Sequence, residues 1–67
     1  MKITLSKFPD NNGNEVWQVL IPGIPLCKET DKVSAETLAR NMLCQQKGNE
    51  LWLWDDYTKT ETLLSKH

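Results

Sequence analysis

The sequence has few of the residues that catalysis and cofactor binding need. Its one histidine, His67, is the last residue, and a general base must be held within hydrogen-bond reach of its substrate. Neither a serine–histidine nor a cysteine–histidine arrangement is therefore expected. The three glycines stand singly at turn positions and form no phosphate-binding loop. Asp55 and Asp56 lack the further oxygen ligands of a calcium loop. We expect a protein that is not an enzyme and that binds no cofactor and no metal ion.

Cysteine is also scarce. Cys27 and Cys44 are far apart and have no histidine nearby, so the spacing of a metal site is absent. In a reducing compartment two such thiols are expected to be buried, whereas export would allow a disulfide. The opening segment M-K-I-T-L-S-K lacks the apolar core of a signal peptide. No apolar run approaches the ~20 residues of a membrane span. These features predict a cytoplasmic protein that does not enter a membrane.

Neither sign of charge is in clear excess. The formal net charge is -1, with 39% hydrophobic and 25% charged residues. This composition is typical of a globular protein rather than a disordered one. A near-neutral chain has no overall attraction to nucleic acid or to an anionic membrane. The length of 67 residues predicts a single domain over residues 1–67, close to the lower size limit for a hydrophobic core.

The strongest structural pattern lies between Val33 and Gly48. Its apolar residues recur at the spacing of one helix face; they are Ala35, Leu38, Ala39, Met42 and Leu43. Ser34 is placed to cap the amino end, and Val33 and Leu38 to form a hydrophobic staple across that end. Gly48 is placed to close the helix in a left-handed conformation. The pattern predicts a helix with this apolar face, Leu38 included, in the core.

A β-hairpin is predicted before the helix. Residues 2–8 alternate as a half-buried strand, and residues 15–21 are rich in β-branched and aromatic side chains. A two-residue turn would scatter the apolar side chains over both faces. A three-residue loop with Gly13 left-handed instead places Leu5 opposite Val19. We prefer this register because it collects one apolar face: Ile3, Leu5, Trp17, Val19 and Ile21.

The remaining segments complete the predicted fold. Two prolines indicate an extended bend over residues 21–25, followed by a polar edge segment over residues 27–32. After the helix, residues 50–54 alternate as a strand, and residues 59–64 are either a strand or a frayed helical turn. The expected class is α+β with the order β-β-α-β-β. One helix packs on one face of a single, mostly antiparallel sheet.

Three tryptophans are many for so short a chain. Trp52 and Trp54 share one face of their strand, and Leu51 and Leu53 share the other. The alternation alone does not decide which pair faces the helix. If the leucines do, the indoles lie on an uncovered face of the sheet. Tryptophan is enriched in the centres of protein interfaces, and it also stacks on nucleic-acid bases.

Acidic residues surround these indoles, with only Lys59 nearby in the sequence to balance them. The candidate partner-binding residues are Trp52, Trp54, Asp55, Asp56 and Glu61. The acids would repel phosphates and would speed association with a basic protein, such as one that handles nucleic acid. An alternative nucleic-acid site uses Arg40 and Lys47, although acidic residues interleave with the basic ones along the helix. Homodimer formation would also bury exposed apolar surface.

Two segments of the sequence resemble those of a known protein family. The run W-Q-V-L-I-P-G-I-P-L-C over residues 17–27, followed by S-A-E-T-L-A-R-N over residues 34–41, resembles the HicB-type antitoxin domain. In that family a strand ends in a proline-containing bend and is followed by a cysteine, a short strand and a helix. The resemblance covers about half of the chain. The family's usual glycine before the helix and its DNA-binding tail are absent.

The size and element order are also similar to small phage-encoded inhibitors of bacterial defence, including some anti-CRISPR proteins. Together, these features predict a non-enzymatic protein-binding module of the small-inhibitor kind. A HicB-like antitoxin or a nucleic-acid-binding accessory protein is the alternative.

Overall fold

The computed structural model describes residues 1–22 and 30–67, and its elements follow the predicted order. The elements are β1 (Lys2–Pro9), β2 (Glu15–Leu20), α1 (Lys32–Leu43), β3 (Glu50–Asp55) and β4 (Thr60–Lys66). The strands form a four-stranded sheet in the order β2-β1-β3-β4. Only the central pair β1 and β3 is parallel among these neighbours. The predicted α+β class is confirmed, and the last segment is a strand. The predicted bend and edge segment fall largely on residues 23–29, which lie outside the described residues, as does Cys27.

The first hairpin has the predicted register. Leu5 lies opposite Val19, and the loop closes where the Asp10 backbone N–H donates to the Asn14 carbonyl at 2.8 Å. The Asp10 carboxylate also accepts from the Asn12 and Asn14 N–H groups, each at 2.8 Å. Gly13 has a φ of 81°, which glycine adopts without steric cost. The predicted three-residue loop is confirmed.

The core forms between α1 and one face of the sheet. The sheet side of the core is contributed by Ile3, Leu5, Trp17, Val19 and Leu51, and the helix side by Ala35, Ala39 and Leu43. Alanine at two of the three helix positions lets the helix backbone approach the strands closely. Leu51 is fully buried and Leu53 packs against the cluster. The leucines of β3 therefore face the helix, and the alternative in which Trp52 and Trp54 form the core is wrong.

The amino end of α1 differs from the prediction. Asp31 is the N-cap residue and the helix begins at Lys32, so Ser34 lies inside the first turn. The pKa of the Asp31 carboxyl is lowered by hydrogen bonding from the Ser34 hydroxyl and then from Thr30. Val33 is 71% exposed and Leu38 is 45% exposed, so the predicted staple and the burial of Leu38 are both wrong. The residues of α1 that face the sheet are Ala35, Ala39 and Leu43, and this phase leaves Leu38 at the side of the helix.

The carboxyl end of α1 is held by a buried amide. The helix ends at Leu43, and Gly48 has the expected left-handed conformation (φ 94°) but lies beyond that end. Asn49 is 2% exposed, and its side-chain Nδ2 donates to the Met42 carbonyl at 3.0 Å. Carbonyls of the last helical turn have no partner within the helix. Asn49 therefore ties the end of α1 to the start of β3.

We expect Asn49→Asp to lower the free energy of unfolding by ~1–3 kcal/mol, more than Asn49→Ala does. The aspartate places a second acceptor against the Met42 carbonyl and leaves it without its donor, whereas alanine only removes the donor. Urea denaturation of both variants measures the difference. Equal stability of the Asp variant and the parent would show that the amide does not support the helix end.

Two further features bear on the sequence predictions. Cys44, the residue that follows α1, is exposed, so the predicted burial of its thiol is wrong: the core-facing positions are Ala35, Ala39 and Leu43, and Cys44 does not share their face. Neither α1 nor any other helix in the described ranges has the length and apolar character needed to cross a membrane.

Candidate protein-binding face

The sheet face that points away from α1 carries the candidate site, and we call it the open face. It includes Thr4, Ser6 and Phe8 from β1, Val16, Gln18 and Leu20 from β2, Trp52 and Trp54 from β3, and Glu61 and Leu63 from β4. Strand alternation requires these residues to share a face, because their neighbours Leu5, Val19 and Leu51 are in the core. Within residues 1–22 and 30–67, no helix packs against this face.

A mainly apolar row crosses the open face. Leu20, Thr4, Trp52 and Leu63 lie opposite one another along the four strands. Leu20 is 36% exposed and Leu63 is 37% exposed, while Trp52 is partly buried. Cross-strand neighbours of this kind lie within contact distance. The row therefore presents a large indole between smaller exposed side chains.

A second row lies beside the first. Ser6 stands between Gln18 on β2 and Trp54 on β3, and Glu61 follows on β4. Ser6 is only 6% exposed although it lies on the face away from α1. A serine is small, so the larger side chains beside it, such as the Trp54 indole, can cover it.

The Trp52 indole is fixed by charged neighbours. Its Nε1 donates to Glu50 Oε1 at 3.5 Å, and Lys66 Nζ lies 3.7 Å from Glu50 Oε2. The Lys2 ammonium lies 5.1 Å from the centroid of the Trp52 ring and forms an ion pair with Glu61. A cation over an indole is attracted by the negative face of the ring. These contacts restrict the ring before any partner arrives.

Asp56 forms a charged pair close to the second indole. Its Oδ1 accepts from Lys59 Nζ at 2.7 Å. The pKa of Asp56 is lowered from its usual value mainly by this lysine, with a further contribution from hydrogen bonding by Trp54. Lys59 adopts a left-handed conformation, with a φ of 56°, in the turn between β3 and β4. The turn therefore places a charged pair at the end of the open face beside Trp54.

Lysines balance the acids of this region. Glu50 pairs with Lys66, Glu61 with Lys2, and Asp56 with Lys59. All six side chains are at least partly exposed, so each pair is weak, but the pairing removes the local excess of negative charge. The sequence interpretation counted only Lys59 against the acids. It missed Lys2 and Lys66, which are distant in sequence and reach the face through strand pairing.

Asp55 lies apart from the other candidate residues. It alternates with Trp54 and therefore belongs to the helix side of the sheet. Lys7 Nζ lies 3.9 Å from Asp55 Oδ2 and 3.3 Å from Glu15 Oε1. The pKa of Lys7 is raised mainly by its hydrogen bond with Glu15 and also by the charge of Asp55. The structure thus brings together Trp52, Trp54, Asp56 and Glu61 but not Asp55.

The residues of the alternative nucleic-acid site do not form a basic cluster. Arg40 Nε donates to Glu36 Oε1 at 3.2 Å on the helix surface, and this i,i+4 pair is of the kind that stabilises helices. Lys47 lies beyond the helix end, in an exposed turn. A nucleic acid would have to compete with Glu36 for Arg40.

A groove lies on the helix side of the sheet. It has a volume of about 230 Å³ and lies between the charged edge of α1 and the strands. Its walls are Leu5, Trp17, Lys32, Glu36, Arg40, Leu53 and Leu64. Arg40 thus borders an apolar groove of mixed charge rather than a basic surface.

No metal site accompanies either surface: across residues 1–22 and 30–67 no three His, Cys, Asp or Glu side chains cluster to hold an ion.

No family model, curated protein or solved structure matches this chain. The likeness to HicB-type domains therefore remains a resemblance of two sequence runs.

Sequence reasoning missed the apolar members of the open face outside β3. Phe8, Val16, Leu20 and Leu63 all lie on it. The preferred hairpin register already placed Trp17 and Val19 on the core face of β2. Val16 and Leu20 alternate with them along the strand, so this alternation could have identified both as members of the other face. Leu63 could not be assigned in this way, because the sequence left β4 undecided between strand and helix.

Proposed function

We propose that this chain is a non-enzymatic protein-binding module of the small-inhibitor kind that acts through its open face. The observation that carries the proposal is the row of Leu20, Thr4, Trp52 and Leu63 across all four strands, with Trp54 beside it. No other element of the described chain covers these side chains. Large exposed apolar patches on small proteins typically mark sites of interaction.

The chemistry of the face favours a protein over a small molecule or a nucleic acid. Tryptophan contributes much of the affinity where it is buried at the centre of an interface. The surrounding ion pairs supply both signs of charge, as in the polar rim of a protein interface. The face is a sheet surface rather than a deep pocket of the kind that encloses small ligands.

Because lysines balance the acids of the open face, the partner proposed differs from the basic protein expected from the sequence. An acidic surface would favour a basic partner, but Lys2, Lys59 and Lys66 neutralise the acids here. The partner proposed is therefore a protein with an apolar centre and a rim of mixed charge. A nucleic-acid-handling complex of the type inhibited by small phage proteins is one such partner, through a surface other than its basic groove.

We expect only feeble binding to DNA or RNA. The net charge of -1 and the pairing of Arg40 with Glu36 leave little positive surface for phosphates, so any binding should weaken steeply with salt. Fluorescence anisotropy with labelled single- and double-stranded oligonucleotides measures this. Sub-micromolar affinity at physiological salt that is lost on Arg40→Ala would favour the nucleic-acid alternative.

Affinity capture from the native host tests the proposed function. The parent chain and the Trp52→Ala/Trp54→Ala double variant are immobilised in parallel, and the retained proteins are identified by mass spectrometry. Leu38→Ala, which removes an exposed leucine from α1, is the matched control. The proposal predicts a protein retained by the parent and the control but not by the double variant. Equal retention by all three chains would contradict it.

A further inference from the structure

Asn12 and Gly13 are neighbours in the loop between β1 and β2, where residues 11–15 are all exposed. Gly13 has a φ of 81°. No atom beyond its two chain neighbours lies within 4 Å of the position that a Cβ would occupy. The main-chain nitrogen of Gly13 is therefore screened neither by a side chain of its own nor by another part of the described chain on that side.

An asparagine followed by glycine can react with its own main chain. The Gly13 nitrogen loses its proton to a base in solution and attacks Cγ of Asn12. The Cγ–Nδ2 bond breaks, and ammonia leaves with a proton taken from water. Water then opens the cyclic imide at Cγ to give aspartate, or at the main-chain carbonyl to give isoaspartate, so that water replaces ammonia overall. A side chain on the following residue hinders this attack, and glycine has none.

Asp10 holds the loop closed against this reaction. Its carboxylate accepts from the N–H groups of Asn12 and Asn14, each at 2.8 Å. Its carbonyl accepts from the Gly13 N–H at 3.1 Å. The nitrogen that attacks is thus engaged as a donor in the closed loop. The reaction requires a local opening that breaks this hydrogen bond, and exposed loops open more readily than core strands.

We propose that Asn12 is a site of spontaneous deamidation and that Asp10 sets its rate. The Asp10 carboxylate supplies two of the hydrogen bonds that keep the loop closed. Its removal allows the loop to open more often and frees the Gly13 nitrogen. Asp10 acts here as a positioning residue, because it holds the loop and takes no part in the bond changes. The inference is independent of the proposed function.

The isoaspartate product is expected to loosen the first hairpin. In isoaspartate the main chain runs through the former side chain, which adds a carbon atom to a loop whose length fixes the register. Within the described sheet, β2 has β1 as its one strand neighbour, and β2 carries Trp17 and Val19 into the core. The isoaspartate form should therefore unfold at a lower urea concentration than the parent. Asn12→Asp keeps the ordinary main chain and should unfold at the parent's urea concentration.

The rates of conversion at individual asparagines test the proposal. The parent, Asp10→Ala and Asp10→Asn are incubated at neutral and mildly alkaline pH, and peptide mapping by mass spectrometry measures the deamidated fraction. In the parent, conversion at Asn12 should be at least roughly tenfold faster than at Asn14, which lies in the same loop but precedes Glu15. Asp10→Ala should raise the rate at Asn12 several-fold. Asp10→Asn should stay close to the parent, because its side-chain oxygen still accepts.

Asp55→Ala is the matched control. Asp55 Oδ1 accepts from the Tyr57 N–H at 2.9 Å in the turn after β3, so this substitution weakens a different turn in the same way. It should leave the rate at Asn12 unchanged. Equal acceleration by Asp10→Ala and Asp55→Ala would reflect a general loss of stability and would overturn the role of Asp10. Conversion at Asn12 that is no faster than at Asn14 would overturn the site itself.

Circular dichroism checks that the variants fold. If Asp10→Ala does not fold, the parent in urea gives an independent result. Unfolding breaks the hydrogen bonds of the loop and should speed conversion at Asn12. An equal rate at Asn12 in the folded and unfolded parent would contradict the proposal, as would the absence of conversion in both.

Discussion

We expect Leu51→Ala to lower the free energy of unfolding by ~2–5 kcal/mol, a large part of the ~5–15 kcal/mol of a typical domain. Leu51 is fully buried and lies on β3, which pairs with both β1 and β4. Its truncation leaves a cavity between α1 and the sheet that a close-packed core cannot fill without strain. Urea or guanidinium denaturation measures the loss.

Leu64→Ala is the matched control for this substitution. Leu64 lies on the neighbouring strand but is 41% exposed, so its truncation should change stability by no more than about 0.5 kcal/mol. A similar loss at both positions would mean that the leucine side of β3 is not the core side. Leu43 and Leu38 give the same comparison on α1, where they are 5% and 45% exposed.

We expect Trp52→Ala to weaken binding to the captured partner by ~2 kcal/mol or more, roughly a thirtyfold rise in the dissociation constant. Trp52 lies at the centre of the apolar row, and Lys2 and Glu50 already hold its ring in place. A ring fixed in advance loses little conformational freedom on binding. Isothermal titration calorimetry with parent and variant measures the change.

The fold of the Trp52 variant must be intact for this comparison. The indole lies on the face opposite the core, so circular dichroism should show native secondary structure. Leu38→Ala again serves as the control and should bind as tightly as the parent. A folded Trp52 variant that binds with the parent's affinity would place the partner site elsewhere on the molecule.

The sequence predicted the first hairpin because local rules agree there. Gly13 supplies the left-handed residue of the loop, and only one register puts Ile3, Leu5 and Val19 on a single face. The bounds of α1 were harder, because both Asp31 and Ser34 are residue types that cap helices. Choosing Ser34 moved the cap by three residues, and the broad apolar stripe led separately to the wrong burial of Leu38. Local pattern could not separate the two caps.

The candidate site was predicted only in part, for a non-local reason. Alternation puts Trp52 and Trp54 on one face, but which face it is depends on the parallel pairing of β1 with β3. The charge balance depends on the same pairing and on that of β3 with β4, which bring Lys2 to Glu61 and Lys66 to Glu50. These residues are far apart in the sequence, so the acids looked unpaired.

The indole N–H signals of the three tryptophans in a two-dimensional NMR spectrum test the central claim most directly. Trp52 and Trp54 lie on the open face, whereas Trp17 is 6% exposed and borders the groove on the helix side. Titration with the captured partner should shift or broaden the signals of Trp52 and Trp54 and leave that of Trp17 in place. A shift of Trp17 alone would place the partner at the helix-side groove and contradict binding through the open face.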